Sequence, residues 1–282
     1  VQRYIRFILK HAEGLVKTLV AVAQMTSTSD KAKNLSICEQ IIKKAAARDV
    51  KLLTLPENCA FFGHGQQEVL AQAESIEGPT VREFRRLAKK YEIYLSIGGI
   101  QELISNQKKI YNTHLLINSQ GEISASYKKM HLFCANLADA RHNEAALVEA
   151  GVAIILAETP FFRLGLSICY DLRFGHLYNN LRKQGAEVLL IPAAFTWLTG
   201  AAHWEVLLRA RAIETQTYVL AAAQIGQNTS QRRTYGHAMI VDPWGTIIAQ
   251  CGDTQDLAIA EIDLEYLHTI RAHMPLNLHC GH

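Results

Sequence analysis

The sequence predicts an α/β fold, one domain built from two halves of similar order, over its 282 residues. Three observations carry that expectation. Short, continuous apolar runs recur along the chain, stretches with apolar residues three or four apart lie between them, and two strand–turn–strand segments interrupt the alternation in the same way. Uninterrupted apolar runs of this length suit strands covered on both faces. No Ser-, Pro- or Gly-rich linker divides the chain, so a single folding unit is expected from 18 to 275.

Ahead of that unit, residues 1–17, "VQRYIRFILKHAEGLVK", set Arg3, Arg6, Lys10 and Lys17 against one acid, Glu13. This is a weak match to an amphipathic transit peptide and reads more readily as a first helix or a basic leader. The strands are then expected at "TLVAVAQM" (18–25), "VKLLTLPE" (50–57), "IYLSIGGI" (93–100), "RLGLSIC" (163–169), "AEVLLIP" (186–192) and "TYVLAAAQ" (217–224). Helical spacing predicts helices over 30–48, 80–91, 175–184 and 202–216, with Pro79 suited to a helix start. The two interrupting segments, "THLLINSQGEISASY" (113–127) and "GHAMIVDPWGTIIAQ" (236–250), each read as a hairpin around a Gly-containing turn. The strand ends "LTLPE" and "LLIPA" echo each other, which favours a pseudo-duplicated order. Residues 276–282 read as a short tail.

Composition narrows the function. Hydrophobic residues make up 49% and charged residues 20%, as in a globular protein with a large core. The net charge of +3 is scattered rather than striped, which argues against a nucleic-acid surface. No apolar run approaches the roughly 20 residues that span a membrane. Six cysteines without a C-x-x-C pair fit a reducing compartment, with neither a disulfide scaffold nor a metal site expected. His279 and His282 beside Cys280 could suggest a metal, but in so short a tail that reading is a minor one.

Chemistry concentrates in "RLGLSICYDLRF" (163–174). Cys169 ends a strand there, at the edge where open α/β sheets place ligands, and the N–H of Tyr170 is then available to an oxyanion. A lipase-type G-x-S-x-G reading of Ser167 fails, because the fifth position is Cys169. Strand alternation places Ser167 deeper on the same face. Glu57 closes "LLTLPE" at a second strand end, and in "YKKMHLF" the residues Tyr127, Lys129 and His131 share one face while Lys128 turns away. Each alone has a plainer reading: a buried cysteine, a solvated loop acid, a pair of solvated lysines. Together a carboxylate base, a cation and a thiol could make an acyl-transfer site.

"LLTLPEN", "YKKMHLF" and "GLSICYDLRF" resemble the three signature segments of the nitrilase superfamily, the carbon–nitrogen hydrolases. The likeness runs from about 18 to 275 and is densest over 193–224 and 232–245, where it is closest to the deaminated glutathione amidase branch, related to the Nit half of Nit–Fhit fusion proteins. The resemblance implies a four-layer αββα sandwich, pairing into a homodimer or a higher homo-oligomer, and a Glu-Lys-Cys triad. Glu57 would be the general base, Lys129 the oxyanion stabiliser and Cys169 the nucleophile. Glu144 matches the family's second glutamate, and Glu205 is expected to border the pocket. Arg173, Phe195 and Thr196 follow strand ends and are candidates for substrate contact.

The implied function is an amidase that cleaves the 2-oxoglutaramyl bond of deaminated glutathione, releasing 2-oxoglutarate and Cys-Gly, in the cytoplasm or also in mitochondria. The alternatives are an ω-amidase acting on 2-oxoglutaramate, or a catalytically silent scaffold on the same fold. A papain-like Cys-His enzyme lacks its C-G-x-C-W context. Two segments depart from the family pattern. "CANLADARHNEAALVEAG" has no Pro or Gly before Gly151, and "RFGHLY" stands where Arg-Phe-Pro-Glu-Leu is usual. The first puts Glu144 and the substrate in question; the second removes a proline from a helix start.

Overall fold

The computed structural model describes residues 17–105, 107–136 and 141–276. Residues 1–16, most of the basic leader, and 277–282, most of the tail, lie outside them. Two sheets lie at the centre of the described chain. The first contains β1 (Thr18–Met25), β2 (Leu52–Leu55), β3 (Tyr94–Leu103), β4 (Ile110–Ile117) and β5 (Ile123–Lys128) as neighbours in that order. On the far side of β1 lie β12 (Ala223–Thr229), β13 (Arg232–Tyr235) and β16 (Asp256–Ile262). The second sheet runs β8 (Leu156–Glu158), β9 (Arg163–Leu166), β10 (Val188–Leu190), β11 (Tyr218–Ala221), β14 (Met239–Val241), β15 (Ile247–Gln250).

The internal echo is now explicit. In the first sheet β1, β2 and β3 pair in parallel and the antiparallel hairpin β4–β5 extends the edge. In the second, β9, β10 and β11 pair in parallel and the antiparallel hairpin β14–β15 follows. Both hairpins are the two segments that broke the rhythm of the sequence.

Alternation along β1 builds the layers. Val20 and Val22 point into a core shared with the second sheet, while Ala21, Ala23 and Met25 point into a second core under the helices α1 (Lys31–Ala46) and α3 (Pro79–Tyr91). Strand periodicity of two sends successive side chains to opposite faces, so one strand serves both cores. Beyond the second sheet, α4 (Gly175–Gln184) and α5 (Trp197–Thr215) pack Leu177, Leu181, Trp204 and Leu208 into an apolar cluster continuous with that core. The order is therefore helix, sheet, sheet, helix. A short helix α2 (Gln66–Gln72) and a C-terminal α6 (Leu264–His273) complete the described set, with neither anticipated from the sequence.

Helix ends follow local chemistry. Asp30 caps α1 by accepting from the Lys33 N–H at 3.0 Å, and Pro79 opens α3, where a missing N–H is harmless. The helix expected over 202–216 begins five residues earlier, at Trp197, because Thr196 provides its cap. The run expected as one strand over 217–224 is two strands. β11 belongs to the second sheet and β12 to the first, with the buried Ala222 at the crossing. Among the described residues, no helix is long and apolar enough to cross a membrane.

Candidate active site

Three strand ends and one loop converge between the sheets. Glu57 follows β2, Lys129 follows β5, and Cys169 lies three residues past β9. The strand expected over 163–169 thus stops at Leu166, and Cys169 opens a tight 3-10 turn, Cys169–Arg173, with φ of 48°. A non-glycine residue there is strained, and its neighbours hold it: the Cys169 N–H donates to the Pro192 carbonyl at 3.0 Å. Ser167 is fully buried, donates to the Leu190 carbonyl and accepts from Tyr178, so it takes a packing role below the cysteine.

Asp171 fastens the turn to the lysine segment. Its carboxylate accepts from the Tyr127 hydroxyl at 2.7 Å, the Ile168 N–H at 2.9 Å, and both the N–H and Nδ1 of His131 at 3.0 and 2.7 Å. Tyr127, Lys129 and His131 all face this interior, as the strand phase predicts. Lys128 points outward over the Tyr111 ring.

The charged cluster is tightly bonded. The Lys129 ammonium donates to Glu57 Oε1 at 3.0 Å and to Glu144 Oε1 and Oε2 at 3.0 and 2.9 Å. Asn112, from the middle of β4, donates from Nδ2 to Glu57 at 2.9 Å and to Glu144 at 3.1 Å. The Ala194 N–H holds the other Glu57 oxygen at 3.0 Å, and the Phe133 N–H holds Glu144 at 2.7 Å. Glu144 arrives on the segment that departs from the family pattern. There β6 (Cys134–Asn136) and β7 (Arg141–Asn143) pair antiparallel and lead into a short turn, Glu144–Ala146. Residues 137–140 lie outside the described residues.

These contacts set the protonation states. Burial works to raise the Glu57 carboxyl, but the Lys129 ammonium and the donors from Asn112 and Lys129 outweigh it and hold it below the usual range. Burial also works against the Lys129 charge, yet the Glu144 and Glu57 carboxylates reverse that and keep it an ammonium. Burial, reinforced by the Glu57 charge and only partly offset by Lys129, pushes the Cys169 thiol well up. The resting site is a thiol beside a carboxylate, with an ammonium between two carboxylates.

A cavity of about 360 Å³ opens onto Glu57, Asn112, Lys129, Glu144 and Cys169, with Phe61, Phe62, Phe133 and Arg232 in its wall. Two glycines of β3 permit close approach here. Gly99 has φ of +76°, and a Cβ on it would lie 2.7 Å from Glu57 Cγ, while a Cβ on Gly98 would overlap the Pro192 ring. Among the described residues, no group of three or more His, Cys, Asp or Glu could hold a metal ion.

Other expected residues sit elsewhere. Glu205 does not border the cavity: its side chain is 51% exposed and pairs with Arg209 at 3.4 Å. The reason is helical phase, since Trp204 and Leu208 occupy the buried stripe of α5 and turn Glu205 outward. Arg173, Phe195 and Thr196 are absent from the cavity wall too. The Arg173 guanidinium lies over Phe195 and Tyr170, Phe195 packs on Trp204, and Thr196 caps α5. The Tyr170 ring packs against Phe133 and Phe174. Sequence reasoning missed Asn112, Asp171 and Arg232. A polar residue inside the apolar run "IYNTHLL" was the signal for Asn112.

Comparison with known proteins gives the family. The family model described as carbon-nitrogen hydrolase matches residues 19–272. A Dictyostelium discoideum protein named deaminated glutathione amidase is 44% identical over 92% of this chain and 92% of its own length. The Drosophila melanogaster nitrilase and fragile histidine triad fusion protein is also 44% identical, over 91% of this chain, which spans only 56% of that relative. The crystal structure of the Caenorhabditis elegans NitFhit protein superposes with a TM-score of 0.89 at 43% identity, covering 93% of this chain and 65% of that one.

Proposed function

The chain belongs to the carbon–nitrogen hydrolase family, and from that premise we propose that it is an amidase hydrolysing the 2-oxoglutaramyl amide of deaminated glutathione through a cysteine thioester. The substrate rests on the likeness to the Dictyostelium relative. The chemistry rests on one observation, the buried Glu57–Lys129–Glu144 cluster against the Cys169 thiol.

The reaction runs on groups already in place. As Cys169 Sγ attacks the amide carbonyl, its proton passes to the Glu57 carboxylate, which is ionised and so able to take it. The developing oxyanion is met by the Lys129 ammonium and the Tyr170 N–H. Glu57 then hands its proton to the departing amine, the C–N bond breaks, and a thioester remains. A water molecule gives its proton to Glu57, attacks the thioester and expels the thiolate, which recovers that proton. Glu144 keeps Lys129 pinned through both halves, with Asn112 fixing the two carboxylates. No step calls for a cofactor.

A reducing compartment is part of the same reading, supported by five unpaired cysteines among the described residues. So is pairing into a dimer, supported by the exposed Trp197, Leu198, Val206 and Ile213 of α5.

The test is 2-oxoglutarate release from deaminated glutathione and from 2-oxoglutaramate by the native protein and Cys169→Ala. Release from the first, lost in the variant, is the expected result. Faster release from 2-oxoglutaramate would move the substrate to the ω-amidase reaction. Silence on both from a folded protein would sink the amidase reading.

A further inference from the structure

Arg232 has no function in the chemistry above, yet its guanidinium is held in the cavity wall. It opens β13, lies 5.4 Å from the Phe62 ring centroid, and makes one long contact, from Nη2 to the Ala194 carbonyl at 3.5 Å. Its Nε is buried with no hydrogen-bond partner, and among the described residues it pairs with no carboxylate. Leaving a buried N–H unpaired is unfavourable, and such a group calls for a ligand or another explanation. The same Ala194 donates its N–H to Glu57, so the arginine stands one peptide unit from the proposed base.

Charge points the same way. Of the two Lys and Arg side chains in the wall, Lys129 is already shared between Glu57 and Glu144. That cluster sums to one negative charge, which would repel an anionic substrate. Arg232 is the wall cation left to answer it, and a guanidinium is a planar fork of N–H donors matched to a carboxylate. We infer that Arg232 binds a carboxylate of the substrate, making this an amidase for amides that carry a free carboxylate. This deepens the proposed function and names the anchor that function needs, since deaminated glutathione has a carboxylate on its acyl side and another on its leaving side.

The experiment uses the full chain with Cys169→Ala, so that no ligand turns over, and reads dissociation constants by calorimetry. Glutarate against glutaramide probes an acyl-side carboxylate. N-acetyl-Cys-Gly against its C-terminal amide probes a leaving-side one. The expected result is that the anion of one pair binds about tenfold or more tighter than its neutral isostere. Adding Arg232→Gln should erase that preference with the neutral ligand unchanged, and Arg232→Lys should keep part of it. The pair that responds identifies the source of the carboxylate. No anion preference in either pair, a preference that survives Arg232→Gln, or equal weakening of anion and neutral ligand would each overturn the inference. An anion preference in a protein that does not hydrolyse deaminated glutathione would leave Arg232 standing and remove only the proposed substrate.

Discussion

At the residue scale the site is an arrangement of charges that only works complete. Lys129 is 2% exposed between two carboxylates, so its removal leaves Glu57 and Glu144 facing each other without a cation. Lys129→Met is therefore expected to lose about 3–5 kcal/mol of stability at pH 7, along with roughly a hundredfold or more in turnover. The sign with pH follows. Without the ammonium, the buried carboxyls are harder to ionise, so the penalty is present at neutral pH and shrinks as they protonate toward pH 5. Urea unfolding at both pH values checks this, and a variant as stable as the native protein at pH 7 would contradict it. Glu57 and Cys169 drew notice because each stands where an apolar run stops, and Lys129 by its strand phase, but the three were legible as a set only through the family likeness. Asn112 was not, since nothing local marks which face of a strand a mid-run polar residue takes, and Arg232 was not, since it opens a short strand inside a polar stretch. Glu205 was misplaced by one step of helical phase, a matter decided by what Trp204 packs against.

At the scale of elements, the strand ends are positioned by glycines that permit close approach. Gly99 sits in the register shift between Ile97 and Ile100 of β3, where the left-handed backbone and the nearby Glu57 both exclude a side chain. Gly99→Ala should cost about 1–2 kcal/mol from the backbone alone, more with the overlap, and should lower kcat by displacing Glu57. Gly121→Ala is the control. It shares a positive φ of +81° in the β4–β5 turn, away from the cavity, and should lose stability with kcat unchanged. Equal kcat in the two variants would argue against a positioning role for Gly99. Strands and hairpins were readable from apolar runs and turn glycines. The break at Ala222 was not, because a single run that serves two sheets looks the same as one long strand. The start of α5 was hidden as well, its cap Thr196 lying behind an apolar, strand-like "AAF".

For the whole molecule, the seam between the sheets carries its own pH dependence. His114 is fully buried on β4, donates from Nδ1 to the Ser167 carbonyl at 2.9 Å and accepts at Nε2 from Ser96 at 2.8 Å. Burial, the largest influence, pushes it down to about 4 from 6.5, so the folded protein keeps it neutral. Between those values the unfolded chain binds the proton and the native one does not, so stability falls as pH drops from 6.5 toward 4, by about 3 kcal/mol from this group. His114→Asn should flatten that part of the native stability–pH curve; an unchanged slope would count against the assignment. The αββα layering was legible only through family likeness, since periodicity gives the strands but not which sheet each one joins. The site draws on residues from Glu57 to Arg232 and on both sheets, and neither sheet alone holds a base with its nucleophile. A chain whose sheets have separated has no half-active form. Its rate of product formation therefore counts folded molecules, and the enzyme reports on its own conformational health in any mixture where it is partly denatured.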